Sequence, residues 1–436
     1  MASSRLGKRL PRKIIIVNGL PWKTIAIGGG TAYIRAQTRN QREDGVSKLQ
    51  HFTAAVFLLA GTGFVPAVHA QDVVKYGVIG QFTGPFAVTG EQYKQGIEAF
   101  LIQSGGTAGG RKIELVYRDT GGPNPAQAKR LAEELLVRDK VAILGGLYLS
   151  PEAAAAAPAV NETKTPTLLF NAASPSLMPA SAYFVRMGQN IAVPGRLGAE
   201  WSRSLGKSRG YTVVGDYTPG HDTEVSFVES FTAAGGQIVG KDRVPLNTVD
   251  FAPYAERIAN ANPDVLEVFI PPGAAAVGFI KALAARGLTQ KILIIGQGEA
   301  EDSDLHLFDD SVVGFHSIIY YSSTIDSPEN NAFKSTLQKK FGADVLPSSF
   351  TLGAYDSLTL VGKMLASQQG KNFDGTAALA TLRGFSWKSP RGPVTIDAST
   401  REPIENYYIR KVDKKDGKLQ NVVIKTLEAV KPPGAK

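Results

Sequence analysis

Residues Val141 to Met178, VAILGGLYLSPEAAAAAPAVNETKTPTLLFNAASPSLM, decide the fold. They read as strand, loop, helix, strand, loop. Val141–Leu144 is a short apolar run closed by Gly145 and Gly146, the pattern of a buried parallel strand. Ser150, Pro151 and Glu152 then open an alanine-rich helix, with Ser at the N-cap, Pro at the first helical position and an acid in the first turn. Thr167–Phe170 is a second buried strand, followed by NAASPS. Two adjacent strands therefore end in loops that each carry a serine followed by proline, Ser150 and Ser174. In an open parallel sheet, ligands lie beyond the carboxyl ends of strands, where helix N-termini offer N–H groups to an anion. These two loops are expected to hold the carboxylate of a small molecule. The alternative is that both serines only cap helices.

Working outward, the same strand–helix unit recurs. Val73–Gly80, Lys112–Tyr117, Val141–Leu144 and Thr167–Phe170 alternate with helices near 91–104, 125–139 and 151–163. Beyond Tyr183–Met187 a second series begins. Its strands are Tyr211–Val214, Gln237–Val244, Val265–Ile270 and Lys291–Ile295, with helices between them, and the loop GQGEAEDSD closes it; the remainder opens with a strand, Gly314–Tyr321. Helices near 329–341 and 350–367 follow, then a strand pair, Gly392–Ile396 and Glu405–Val412, whose alternation predicts antiparallel pairing. The fold class is α/β, in two doubly wound Rossmann-like halves.

At 436 residues the chain exceeds one typical core. With 43% hydrophobic and 20% charged residues its composition is that of an ordinary soluble protein. It has no cysteine, which excludes disulfides, thiolate metal sites and cysteine nucleophiles. The net charge of +9 is concentrated at one end: residues 1–70 hold ten Lys or Arg against two acids, which leaves about +1 for residues 71–436. A body so nearly neutral gives no electrostatic reason to expect nucleic acid.

FTAAVFLLAGTGFV (residues 52–65), preceded by Arg42 and Lys48 and followed by Val68-His69-Ala70, has the form of a secretory signal peptide. We place it at residues 46–70, with cleavage after Ala70. A membrane anchor is the competing reading, but the unbroken apolar core is well short of the roughly 20 residues a spanning helix needs. Residues 1–45 show scattered charge and no amphipathic period, so no fold is expected there. They read as an upstream extension, with translation starting near Val46 at a non-ATG codon.

The ordered features VIGQFTGPFAVTGEQYKQGIEAF, NPAQAKRLAEELLVRDKVAILGG, NAASPS, GAYDSLTLVGKML and GPVTIDASTREPIENYYIRKV together resemble one family over residues 73–428. This is the type I periplasmic solute-binding proteins of branched-chain amino acid uptake, the leucine/isoleucine/valine-binding proteins. The resemblance implies two lobes joined by three hinge strands, 71–189 with 322–388 and 190–321 with 389–428, and a disordered tail at 429–436. It also implies a monomer that closes on a small-molecule solute, an amino acid or other carboxylate, and delivers it to an ABC permease in the inner membrane, with no cofactor of its own.

Carried over residue by residue, the resemblance places the ligand carboxylate on Leu149 and Ser150. It puts a backbone carbonyl on Ala172, a hydroxyl on Ser174 and the counter-charge for an α-ammonium on Glu299. The alternative for Glu299 is a solvated member of the acidic run Glu299–Asp304. Aromatic positions of the family are altered. Thr89 stands where a first-lobe tyrosine is usual, with Phe86 and Tyr148 close by; Tyr217 and His221 are the candidates in GDYTPGHD, and a third tyrosine position falls on Gly273. Such departures point toward an aromatic acid, an amide or another small carboxylate as alternatives to leucine.

Other functions find little in the sequence. There is no G-x-S-x-G elbow or H-E-x-x-H pair, GGTAGGRK (residues 105–112) lacks the Lys-Ser/Thr of a phosphate loop, and His221-Asp222 reads as a surface or cleft-wall pair. No enzyme is expected, and no metal site. A ligand-sensing regulator of the same fold would carry a DNA-binding or signalling module, which residues 1–45 do not resemble.

Overall fold

The computed structural model describes residues 73–369 and 371–435, and, among residues 1–72, the backbone of two strands, β1 (Lys23–Ile27) and β2 (Gly30–Ile34). These two pair antiparallel, Ile27 facing Gly30. The segment expected to have no fold thus contains a hairpin. Its strands carry β-branched and aromatic residues (KTIAI, GTAYI) on either side of a Gly-Gly pair, a combination that favours two-residue turns. The expected signal peptide at 46–70 and its cleavage point lie outside the described residues.

From Val73 the chain builds two sheets of the same winding. The first takes β3 (Val73–Gly80), α1 (Ala87–Gln103), β4 (Thr107–Ala108), β5 (Arg111–Asp119), α2 (Pro125–Glu133), β6 (Ile143–Gly146), α3 (Ser150–Thr163), β7 (Thr167–Leu169), α4 (Leu177–Ala180) and β8 (Phe184–Arg186). Its order is β4-β5-β3-β6-β7-β8, parallel except for the short β4. The chain then crosses through 187–191 into α5 (Ala192–Ser204). It continues as β9 (Arg209–Gly215), α6 (Thr218–Ala233), β10 (Gln237–Val244), α7 (Ala252–Ala261), β11 (Val265–Phe269), α8 (Ala274–Ala285), β12 (Leu293–Gly296) and β13 (His316–Ile319). These strands lie in the order β10-β9-β11-β12-β13, again parallel.

In both sheets the winding reverses beside the first strand, between β3 and β6 and between β9 and β11. Loops leave that reversal in opposite directions and open a crevice. At the first one Gly146, with φ 98°, brings its Cα against the Ile79 backbone, where a Cβ would stand 2.0 Å from the carbonyl oxygen. Only glycine makes that turn without strain.

The remainder closes the structure. Helices α9 (Pro328–Phe341), α10 (Ser349–Ala366) and α11 (Gly375–Ala380) return to the first lobe, where Phe350, Leu358, Val361 and Met364 join Tyr76, Ile97 and Phe170 in one core. Strands β14 (Ser386–Ser389), β15 (Gly392–Ile396), β16 (Pro403–Lys415) and β17 (Lys418–Val430) extend the second sheet, all antiparallel. The pairing expected at 392–412 is therefore present, joining Thr395 to Ile404. The long β16–β17 hairpin was not legible, because KLQNVVIKTLEAV mixes charges into an exposed edge strand. It runs two residues into the stretch expected to be a tail.

Three buried arginines brace the crossings between lobes. Arg186 pairs with Glu402 at 2.6 Å, Arg391 bonds Asp356, Glu405 and the Met187 carbonyl, and Arg410 bonds Ser317 and the Tyr321 carbonyl. Among the described residues no helix is long and apolar enough to cross a membrane.

Candidate functional site

The two winding reversals face each other, and one cavity lies between them, about 560 Å³ including its mouth. From the first lobe it is lined by Tyr148, Leu149, Ser150, Asn171, Ala173 and Phe350. From the second come Tyr217, Pro219, Phe269–Pro272, Gly298 and Glu299, while Gln189, Ile191 and Tyr320 stand at the crossings.

Ser150 does not occupy the expected N-cap. Leu149 is the N-cap of α3, and Glu152 reaches back to accept from its N–H at 3.3 Å, so the helix start is satisfied without the serine. The Ser150 oxygen is thereby released to accept the N–H groups of Ala173 and Ser174, both at 3.1 Å. Those bonds occupy its lone pairs and leave its O–H to donate.

The loop after β7 is held from behind. Arg186, fully buried, donates to the carbonyls of Ala172 and Ser174 (2.8 Å to the latter). The Ala172 carbonyl, expected to face the ligand, is thus turned to this arginine. Ser174 is buried too; its hydroxyl bonds Asp222 on α6 and Ser176, tying the lobes together. Neither Ala172 nor Ser174 lines the cavity, whereas Ala173 does. The reason is the brace: once Arg186 draws the two carbonyls inward, the residue between them turns the other way.

Glu299 lines the cavity but is 1% exposed, so it is not a solvated member of an acidic run. Its carboxylate accepts the N–H groups of Ile270 at 3.0 Å and of Gln297. Burial pushes the carboxyl up to about 7 against those bonds.

Aromatic side chains supply most of the remaining wall. Tyr148 packs against Phe86 at 5.3 Å and Phe350 at 5.9 Å, while Tyr217 stacks on Phe269 at 6.0 Å and 13°. Burial raises both phenols above their usual range. Thr89 supports the Tyr148 hydroxyl from α1 rather than lining the cavity, and Phe86 lines a neighbouring apolar groove. His221 turns to Asp216 at 2.8 Å on the outer face of α6, away from the cavity.

Sequence reasoning missed Phe269, Phe350, Asn171, Gln189 and Tyr320. Phe269 and Asn171 had a signal, since each stands at the carboxyl end of a recognised strand. Phe350 reaches the cavity only because α10 docks on the first lobe, and no local pattern announces that.

A sequence profile of the family described as "Periplasmic binding protein" matches residues 73–418. The "Leu/Ile/Val-binding protein homolog 6" of Brucella melitensis is 37% identical over 394 residues, covering 90% of this chain and all of the relative. A solute-binding protein of an ABC transporter from Rhodopseudomonas palustris HaA2, solved with p-hydroxybenzoic acid, is 38% identical with a TM-score of 0.79, over 82% of this chain and 98% of that one. One from R. palustris BisB5, solved with 3,4-dihydroxybenzoic acid, is 37% identical with the same TM-score, over 83% and 99%.

Proposed function

Because the chain belongs to the periplasmic binding protein family, and so is a solute-binding protein of an ABC transporter, we propose that its solute is a small aromatic carboxylate. The lobe boundaries, export by residues 46–70 with cleavage after Ala70, action as a monomer without catalysis, and delivery to an inner-membrane permease belong to the same reading.

The observation that carries it is the make-up of the cleft. Tyr148 and Phe350 from one lobe, and Tyr217 and Phe269 from the other, share a cavity with the Ser150 hydroxyl. A flat ring between such walls gains burial and edge or face contacts from both lobes at once. Only contacts to both lobes favour the closed form. The carboxylate is assigned to Ser150 at the start of α3, where a helix N-terminus adds its own positive end.

An α-ammonium finds less. Glu299 is engaged with two backbone N–H groups, and the Ala172 carbonyl with Arg186. A buried ammonium needs a committed partner, since an unpaired charge is costly. The solutes bound by the two R. palustris proteins support the aromatic reading. The name of the Brucella relative favours a branched-chain amino acid as the second reading.

Thermal denaturation of the secreted protein with 4-hydroxybenzoate, benzoate and leucine separates the two. At a hundred times Kd the bound form gains about 2.7 kcal/mol, so an aromatic acid should raise Tm by several degrees while leucine leaves it unchanged. The opposite pattern would replace the aromatic reading with the amino-acid one.

A further inference from the structure

Resting on the reading of an aromatic carboxylate, we infer that Gln189 reads a hydroxyl on the ring, so that the cleft selects hydroxylated benzoates over benzoate itself. Gln189 lies in the first crossing, between β8 and α5, and lines the cavity. It is 9% exposed, and its Oε1 is sealed from solvent with no hydrogen-bond partner among the described residues.

A chain of amides fixes which way this side chain faces. The Gln189 Nε2 donates to Gln297 Oε1 at 3.2 Å, and Gln297 Nε2 points to Glu267 Oε1 at 3.5 Å. Glu267 is fully buried on β11. Burial raises the Glu267 carboxyl well above its usual range; with its Oε1 as the accepting oxygen at the far end, each amide turns its NH2 toward Glu267, which leaves the Gln189 carbonyl as the free end of the chain. A buried acceptor left unpaired is unfavourable, and a ligand donor that meets it recovers that cost.

Apart from the Ser150 O–H, which is assigned to the carboxylate, several polar groups of the cleft already have a partner. Glu299 holds two backbone N–H groups, the Tyr320 hydroxyl donates to the Ser349 carbonyl at 3.0 Å, and the Asn171 amide donates to the Tyr148 carbonyl at 3.2 Å. A phenolic O–H is a strong donor of one hydrogen and matches the single acceptor that Gln189 presents. A site arranged for a hydroxyl also rejects the analogue that lacks it far more sharply than an apolar pocket does.

Titration calorimetry on the full secreted protein with 3- and 4-hydroxybenzoate, benzoate and 4-fluorobenzoate tests this, the fluorine matching the hydroxyl in size without donating. One hydroxybenzoate should bind at least about tenfold more tightly than benzoate and 4-fluorobenzoate. In Gln189→Met that preference should shrink to within about threefold, through weaker hydroxybenzoate binding alone. Benzoate affinity reports the integrity of the fold. Should Gln189→Met bind neither acid, Gln189→Asn, which draws the oxygen back by one methylene, is to be read the same way. An unchanged preference in the variant, or none in the parent protein, overturns the role of Gln189 and leaves the aromatic reading standing. If no benzoate binds the parent protein, the reading of the cleft falls as well.

Discussion

The two walls of the cleft are built by the same winding and do opposite things. On the first-lobe side, polar groups brace one another: Ser150 accepts from Ala173 and Ser174, and Arg186 takes the carbonyls of Ala172 and Ser174. On the second-lobe side the polar residues turn back onto their own backbone, Glu299 onto Ile270 and Gln297, and rings and prolines face the cavity. One wall is polar and preorganised, the proposed anion holder, and the other is an apolar plate. The difference teaches that a repeated fold fixes where a ligand sits, while the side chains behind each loop decide what it is.

The comparison breaks most completely at Arg186. Replacing it with Met leaves Glu402 buried without its charge partner, with only the Asn190 amide beside it, and two carbonyls without that donor. Removing one member of a buried pair costs about 3–5 kcal/mol, and chemical denaturation should show a loss of that order. No substitution of the aromatic plate should approach it. A loss under about 1 kcal/mol would mean that the brace is ornamental and the walls are alike.

A smaller effect sharpens the same contrast. Ser150→Ala removes the acceptor of two buried N–H groups and the proposed carboxylate donor, so both stability and affinity should fall, affinity by about 30-fold or some 2 kcal/mol. Phe269→Leu, across the cleft, trims a stacked ring and should weaken 4-hydroxybenzoate about tenfold while shifting the denaturation midpoint little. If Phe269→Leu destabilises as much as Ser150→Ala, the second wall is as rigidly braced as the first.

How far the sequence reached follows from what is local. Buried runs closed by Gly-Gly or by NAASPS announce strand ends directly, so Ser150 and the 171–174 loop were legible. The repeated strand–helix alternation made the two halves legible too. The facing of Ala172 was not, because it depends on Arg186, fourteen residues on, and on Glu402 from the far end of the chain. Gln189 and Phe350 likewise reach the cleft only through a crossing and a docked helix. Glu299, expected as the counter-charge of an α-ammonium, lines the cavity, yet its pairing with the Ile270 N–H arises from the loop after a neighbouring strand.

The smallest expected effect concerns that glutamate, and its sign can be worked out. Burial holds the Glu299 carboxyl at about 7, against an ordinary value of 4.5. Below 4.5 both folded and unfolded chains carry the proton, so the stabilising contribution is fully present. Between 4.5 and 7 the unfolded chain releases it while the folded chain keeps it, so stability falls as pH rises through this window. Glu301 and Glu405 are raised in the same direction, and His316, lowered to about 4, acts the opposite way. The total profile therefore mixes several groups, and the difference between the parent protein and Glu299→Gln isolates Glu299 together with its repulsion of the buried Glu267. That difference should shrink by about 1–2 kcal/mol from pH 5 to pH 6.5, as the parent loses stability that the uncharged variant cannot lose. A difference that stays flat would show Glu299 ionised throughout. It would then be a standing negative charge in the apolar plate, and an ammonium-bearing solute would regain its counter-charge.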